Sequence, residues 1–278
     1  EEGPLKTSSD FKMLEDQAYA SLYQEGIGRM SKDGAITILQ GRAVGGTTLI
    51  NWTSSFRTPE PTLEHWAKEH NVKGHSPAEM APWFEKMEQR LGVAPWMVPP
   101  NANNDVIRKG CEALNYSWHV IPRNVRGCWN LGYCGMGCPT NAKQSMMVTT
   151  IPATLEKGGE LLYLARAEKL TISGDKVTGL HCSAMDERCV APTGRSITVK
   201  AKHFVLAGGG INSPALLMRS EAPDPHKRLG KRTFLHPVNM SAALFDEVVN
   251  PFYGAPQSIY SDHFQWQDGT TGKMSYKL

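Results

Sequence analysis

The chain has 278 residues, 40% hydrophobic and 21% charged, enough for one large or two ordinary globular domains with a sizeable core. Thirty basic and 27 acidic side chains leave a net charge of +3, a balance without the basic footprint of a nucleic-acid binder. No apolar run reaches the roughly 18 residues of a membrane-spanning helix, Glu1-Glu2-Gly3-Pro4 lacks the order of a signal peptide, and six cysteines are too few for a disulfide scaffold.

Along the chain, Phe11, Leu14, Ala18 and Leu22 fall near helical spacing and predict an amphipathic helix between Asp10 and Gln24, ended by Gly26 and Gly28. Ala35-Ile36-Thr37-Ile38-Leu39 reads as a strand, followed by a glycine turn and a helix opening at Thr47 or Thr48. Ser54 to Pro59 leaves it extended. Thr62 is expected to cap a short helix through Ala67. Ser76-Pro77-Ala78-Glu79 is a second helix start, with a Ser cap, Pro in the first turn and a Glu three residues on. That helix runs to about Leu91, bends at Pro82, and presents Met80, Trp83, Phe84, Met87 and Leu91 as a buried stripe. A loop to Asn104 precedes a helix to Leu114, and Ser117 to Arg123 alternates like a strand. Gly127 to Asn141 is a loop rich in Gly and Cys. Ala142 to Lys157 reads as a helix bent near Pro152. Strands follow at 161–167, 170–173, 177–185, 197–199 and 203–207, the last running into Gly208-Gly209-Gly210 and a helix capped by Asn212 or Ser213. Beyond Gly230 the chain reads as loop. The alternation argues an α/β core with an inserted, more helical part at about 60–150.

Two strand–glycine–helix junctions stand out, at 39–48 and 205–214. In open α/β sheets ligands bind outside the carboxyl ends of strands, where such junctions sit. Paired Gly45 and Gly46 have no Cβ, so main chain there can press against a ligand, and a helix start beyond them would offer N–H groups. The same residues also fit an ordinary tight turn. Together the two junctions suit one dinucleotide, yet no G-x-G-x-x-G opens a βαβ unit in this chain.

Gly41-Arg42-Ala43-Val44-Gly45-Gly46-Thr47-Thr48-Leu49-Ile50-Asn51 resembles the first signature of the glucose–methanol–choline (GMC) flavin oxidoreductases. Gly209-Gly210-Ile211-Asn212-Ser213-Pro214-Ala215-Leu216-Leu217, followed by Arg219-Ser220, resembles the second, and Leu235-His236-Pro237 the short His-Pro element after it. The resemblance covers roughly residues 36–240. Within the family, Asn51 to Pro59 together with Gly137-Cys138 and Lys143-Gln144-Ser145 look most like the long-chain alcohol oxidase and dehydrogenase branch.

The resemblance implies a bound FAD and an α/β fold: a Rossmann-like FAD-binding domain, here incomplete, made of residues 1–59 and 151–240. It also implies a helical insertion at 60–150 facing the substrate and, from 241 to 278, the start of an α+β substrate domain. Gly45, Gly46, Thr47, Thr48 and Asn51 would lie against the pyrophosphate and flavin, with Arg42 also in the cofactor set, and Trp52 and Thr53 near the reactive ring face. Ala167 would meet the adenine side through its backbone, Ala207 and Gly208 would approach the nucleotide, and Ser213 would start the supporting helix. The implied reaction is oxidation of an alcohol, long-chain or otherwise primary, by hydride transfer to the flavin, with O2 or a quinone or cytochrome as electron acceptor. Family members begin with the dinucleotide fingerprint and end with a catalytic histidine; the expectation is therefore a middle portion of a longer protein, with the base beyond Leu278. His65, His75, His119, His181, His203, His226, His236 and His263 match no catalytic motif, His236 reads as a structural partner, and His70 as solvated.

Cys128, Cys134 and Cys138 cluster at spacings that could hold an iron–sulfur cluster or zinc. Three thiolates are one short of a closed zinc site, and reduced packed thiols or one disulfide fit as well. Similar spacing in sugar dehydrogenases of the family supports a rival reading, a flavin subunit passing electrons through a cysteine-bound cluster. A third is an FAD-binding fragment without turnover. Cys111, Cys182 and Cys189 read as inert.

Overall fold

The computed structural model describes residues 1–235, 238–266 and 276–278. His236 and Pro237, the last part of the expected His-Pro element, lie outside them. The chain divides into two compact units: a sheet unit of Glu1–Leu5, Arg42–Val44 and Glu160–Leu244, and a helical unit of Lys6–Gly41, Gly45–Gly159 and Phe245–Leu278.

In chain order, α1 is Glu15–Leu22, shorter than its periodicity predicts, with Ala18 and Leu22 buried. Residues 35–39 form no strand. Ser31 N–H donates to Ile36 O and Ile38 N–H to Arg29 O, both at 2.8 Å, so the segment spends its polar groups on a local loop that leaves Leu39 61% exposed. The helix expected at Thr47 is a four-residue 3-10 turn, Gly46–Leu49, entered through left-handed Gly45. α2 is Glu60–His70 and starts at Pro59 rather than at Thr62. Pro61 falls in its first turn, where a missing N–H costs nothing, so the helix extends N-terminally past the expected cap. α3, Pro77–Leu91, has the predicted start: Glu79 N–H donates to Ser76 Oγ at 3.3 Å and Ser76 N–H to Glu79 Oε2 at 3.0 Å. Ser76→Ala should lower the unfolding free energy by about 1 kcal/mol, read as an earlier urea midpoint. The expected buried stripe is absent, since no α3 residue is buried and Trp83 is 60% exposed. Cations cover that face instead: the Arg57 guanidinium lies 5.8 Å from the Phe84 ring centre and the Lys86 ammonium 5.4 Å from that of Trp83.

Past α3 come β1 (Val93–Pro95), α4 (Ala102–Ala113, capped by Asn101), β2 (His119–Val120) and β3 (Pro122–Asn124). The single strand expected at 117–123 is thus split at Ile121; β3 pairs antiparallel with β1. The helix expected from Ala142 is only α5, Thr150–Leu155. Main-chain groups before it are taken up by distant partners: Arg126 N–H donates to Ala142 O, Gln144 N–H to Asn124 O, and Met146 N–H to Thr48 Oγ1. A helix there would break all three.

The sheet unit is built on an antiparallel meander, β4 (Ala165–Ser173), β5 (Lys176–Met185) and β6 (Pro192–Val199). The break expected near Lys169 is a bulge between Ala167 and Lys169, and residues 161–164 are irregular. α6, Gly209–Arg219, packs on β4 through the Ser220 hydroxyl, which accepts from Leu170 N–H at 2.9 Å and donates to Leu216 O at 2.6 Å. α6 begins at Gly208, not at Asn212 or Ser213, so both of these and Pro214 lie inside it. Residues 203–207 form no strand, and Val205 is 91% exposed; a strand needs a neighbour to take its N–H and C=O groups, and none of the described residues supplies one. The last strand, β7 (Ile259–Tyr260), pairs antiparallel with β2 in the helical unit.

Candidate functional site

In the helical unit, Gly41 and residues 45–53 form a tight corner. Gly41 N–H donates to Thr47 Oγ1 at 3.1 Å, and Thr48 Oγ1 donates to Gly45 O at 2.5 Å while accepting from Met146 N–H at 3.0 Å. A Cβ on Gly41 would come within 2.7 Å of Gly46 and Thr47 main chain. Gly45 and Gly46 both have positive φ, 102° and 57°, and a Cβ on Gly46 would meet none of the described residues within 4 Å. Main chain at Gly46 thus faces open space without a side chain in front of it, the property a closely pressed ligand requires. The FAD implied by the resemblance fits this cradle.

Downstream, Trp52 is 40% exposed and Thr53 is fully buried. Thr53 has φ 68°, costly for a β-branched residue by about 1–3 kcal/mol. Two buried cations brace the stretch from Leu49 to Thr53. Arg123, 1% exposed, donates from Nε to Thr53 Oγ1 at 2.7 Å and from Nη2 to Trp52 O at 3.5 Å, and its guanidinium stacks 4.6 Å from the Trp96 ring centre. Thr53 Oγ1 in turn donates to Trp52 O. Lys143, 3% exposed, donates from Nζ to Leu49 O, Asn51 O and Cys134 O at 2.7, 2.9 and 2.7 Å. Burial lowers its pKa to about 8, against the pull of Cys134 and Cys138. No carboxylate among the described residues forms an ion pair with either cation. Linear spacing singles out neither: Lys143 entered only as part of Lys143-Gln144-Ser145, and Arg123 only as the end of a strand.

The Gly-Cys loop closes on the same corner. A Cβ on Gly135 would lie 2.8 Å from the Trp52 ring, and Tyr23 donates its hydroxyl to Gly135 O at 2.6 Å; burial pushes that phenol up to about 12. The three cysteines serve different donors. Cys128 Sγ accepts from Asn130 N–H, Cys134 Sγ from Arg123 Nη2 and Cys138 Sγ from Lys143 N–H. Burial raises the Cys128 thiol. Burial alone would raise Cys138 too, but hydrogen bonds from the Thr140 hydroxyl and nearby N–H groups bring it below its usual value. All six cysteines are free, and among the described residues no group of three or more His, Cys, Asp or Glu could hold a metal ion.

The remaining predicted residues lie in the sheet unit. Arg42 donates from Nη1 to Cys189 O at 2.9 Å and sits 3.7 Å from the Glu2 carboxylate; its Nε is buried without a hydrogen-bond partner among the described residues. Ala167 pairs with Cys182 across β4 and β5, and its carbonyl accepts from Arg219 Nη2 at 3.3 Å. Ala207 and Gly208 are exposed just before α6, and Ser213 is half-buried inside it.

Two solved structures share this fold. One is a pyridoxine 4-oxidase from Mesorbium loti (TM-score 0.54, 18% identity, 80% of this chain and 46% of that one). The other is an FAD-dependent oxidoreductase from Chaetomium thermophilum (TM-score 0.57, 14% identity, 79% and 42%). The chain belongs to the GMC oxidoreductase family, whose model matches residues 19–238. Among its relatives, a long-chain-alcohol oxidase, FAO4B of Arabidopsis thaliana, is 29% identical over 91% of this chain and 34% of its own length. An uncharacterized GMC-type oxidoreductase of Mycobacterium tuberculosis is 32% identical over 97% of this chain and 42% of its own. The chain thus spans less than half the length of these two relatives.

Proposed function

We propose that this chain supplies the flavin-gripping part of an enzyme that oxidises a long-chain or other primary alcohol to the aldehyde, with FAD as cofactor and O2 as electron acceptor. The observation that carries the reading is the Gly45-Gly46 corner, main chain open on one side and followed by a half-exposed Trp52, in a chain similar to long-chain-alcohol oxidases. Bound FAD would accept the hydride of the alcohol. In this reading Gly45, Gly46, Thr47, Thr48 and Asn51 position the cofactor, Trp52 and Thr53 shape the space before its ring, and Ala167, Ala207, Gly208 and Ser213 meet the nucleotide end. Arg42, held by Cys189 O and near the Glu2 carboxylate, belongs to the cofactor set as well. Residues 60–150 form the substrate side; exposed Trp66, Trp83 and Met87 on α2 and α3 favour an aliphatic chain there.

The test uses the full-length natural protein. Anaerobic addition of a long-chain primary alcohol such as dodecanol should bleach its flavin absorbance, and admitting air should restore the colour with release of hydrogen peroxide. Bound flavin that no primary alcohol bleaches would leave only an FAD binder.

A further inference from the structure

Lys143 and Arg123 are absent from the cofactor set described above, yet between them they hold three of its members, Asn51, Trp52 and Thr53. Three main-chain oxygens converge on Lys143 Nζ, two of them, from Leu49 and Asn51, belonging to the corner itself. Arg123 holds the corner's other end through Thr53 Oγ1 and Trp52 O. Both side chains are almost wholly buried. A charge on a buried side chain is ordinarily offset by a carboxylate. Here the partners are carbonyls, a hydroxyl, a sulfur and the Trp96 ring. Fixed, dry and uncompensated charges act on a neighbouring group far more strongly than solvated ones.

We propose that Lys143 and Arg123 are positioning residues that lock the Asn51–Thr53 corner and, as two positive charges without a carboxylate counter-ion, make the flavin held against that corner a stronger oxidant. The proposal rests on the reading that residues 51–53 face the flavin. A reduced flavin that gains negative charge is favoured by nearby cations, so their removal should lower the midpoint potential. A purely structural role would loosen the corner without that shift.

The experiment is a redox titration of FAD-loaded, full-length protein against reference dyes, comparing wild type with Lys143→Gln, Lys143→Arg, Arg123→Gln and Arg123→Lys. Each Gln variant should shift the flavin equilibrium toward the oxidised form by tenfold or more, about 30 mV per tenfold for a two-electron couple. The Arg and Lys exchanges, which keep the charge, should recover most of that shift. A second readout does not depend on the Gln variants loading FAD. Between pH 7 and 9.5, roughly the range about the Lys143 pKa of about 8, the wild-type potential should fall more steeply with pH than that of Lys143→Arg. Cys134, Cys138 and Arg123, the charged or titratable groups that act on Lys143, are common to both proteins and cancel in the comparison. FAD-bound Gln variants with wild-type potentials, or equal pH slopes in wild type and Lys143→Arg, would overturn the proposal. Wild-type protein that binds no FAD would instead remove the functional reading beneath it, a separable result.

Discussion

Gly46→Val should yield a protein that folds but carries almost no flavin. Gly46 adopts φ 57°, and a Cβ built on it finds nothing within 4 Å. The added Cβ would therefore clash with none of the described residues, and the main cost in the empty protein is backbone strain, about 1–3 kcal/mol for a non-glycine residue in this region. Its two methyl groups would occupy the space against which the cofactor must press. Bound FAD per chain, measured after heat release, should drop from near-stoichiometric to near none, while the urea transition shifts only modestly. Gly46→Ala should fall between the two. The contrast with Gly41 sharpens the test: a Cβ there meets Gly46 and Thr47 main chain at 2.7 Å, so Gly41→Ala should damage folding first and flavin content as a consequence. Normal yellow protein from Gly46→Val would falsify the placement of the cofactor at this corner.

Lys143→Met should destabilise the helical unit. Methionine fills a similar volume but cannot donate, leaving the oxygens of Leu49, Asn51 and Cys134 without this donor. At about 1–3 kcal/mol for each unsatisfied buried group, reduced by entering water and by relief of the cost of burying the ammonium, the net loss near pH 7 is on the order of 1–3 kcal/mol, against the ~5–15 kcal/mol that typically holds a domain folded. The difference should also depend on pH with a defined sign. Lys143 has a folded pKa of about 8 against 10.5 for the ordinary side chain. Below about pH 8 folding keeps the ammonium buried at full cost; between 8 and 10.5 the unfolded chain binds more protons than the folded one, so stability from this group rises with pH. Lys143→Met lacks that gain, and its deficit relative to wild type should widen across the same window in urea titrations. A deficit that stays flat would mean that Lys143 titrates at its ordinary value.

Local chemistry was legible where it acts over a few residues. The Ser76–Glu79 start of α3 and most of the β4–β5–β6 meander follow from caps, turns and alternation within short windows, whereas α4, expected from Asn104, begins at Ala102 behind an Asn101 cap. The missing Cβ atoms at Gly45 and Gly46 were legible from the residue type itself; their positive φ values were not. Elements whose form depends on distant partners were not. The stretch 142–149 has helical composition, yet its N–H and C=O groups are claimed by Thr48, Asn124 and Arg126. Segment 35–39 has strand composition but pairs only locally, through a single bridge between Met30 and Thr37, and 203–207 has strand composition without a neighbour among the described residues. α3 has the periodicity of a buried stripe, but a distant cation, Arg57, lies over Phe84 and the helix's own Lys86 over Trp83. The largest omission in the site, the Lys143–Arg123 pair, has the same origin. A lysine more than 90 positions beyond Leu49 carries no mark in the one-dimensional string that it will reach back to hold that residue's carbonyl.

That reach has a practical corollary for anyone exchanging pieces between GMC relatives. Because one ammonium ties Leu49 and Asn51 to Cys134, and Gly135 leaves room for the Trp52 ring, the segments 45–53 and 123–146 amount to a single transferable module. A graft of the first without the second would import a loop whose anchor stayed behind in the donor.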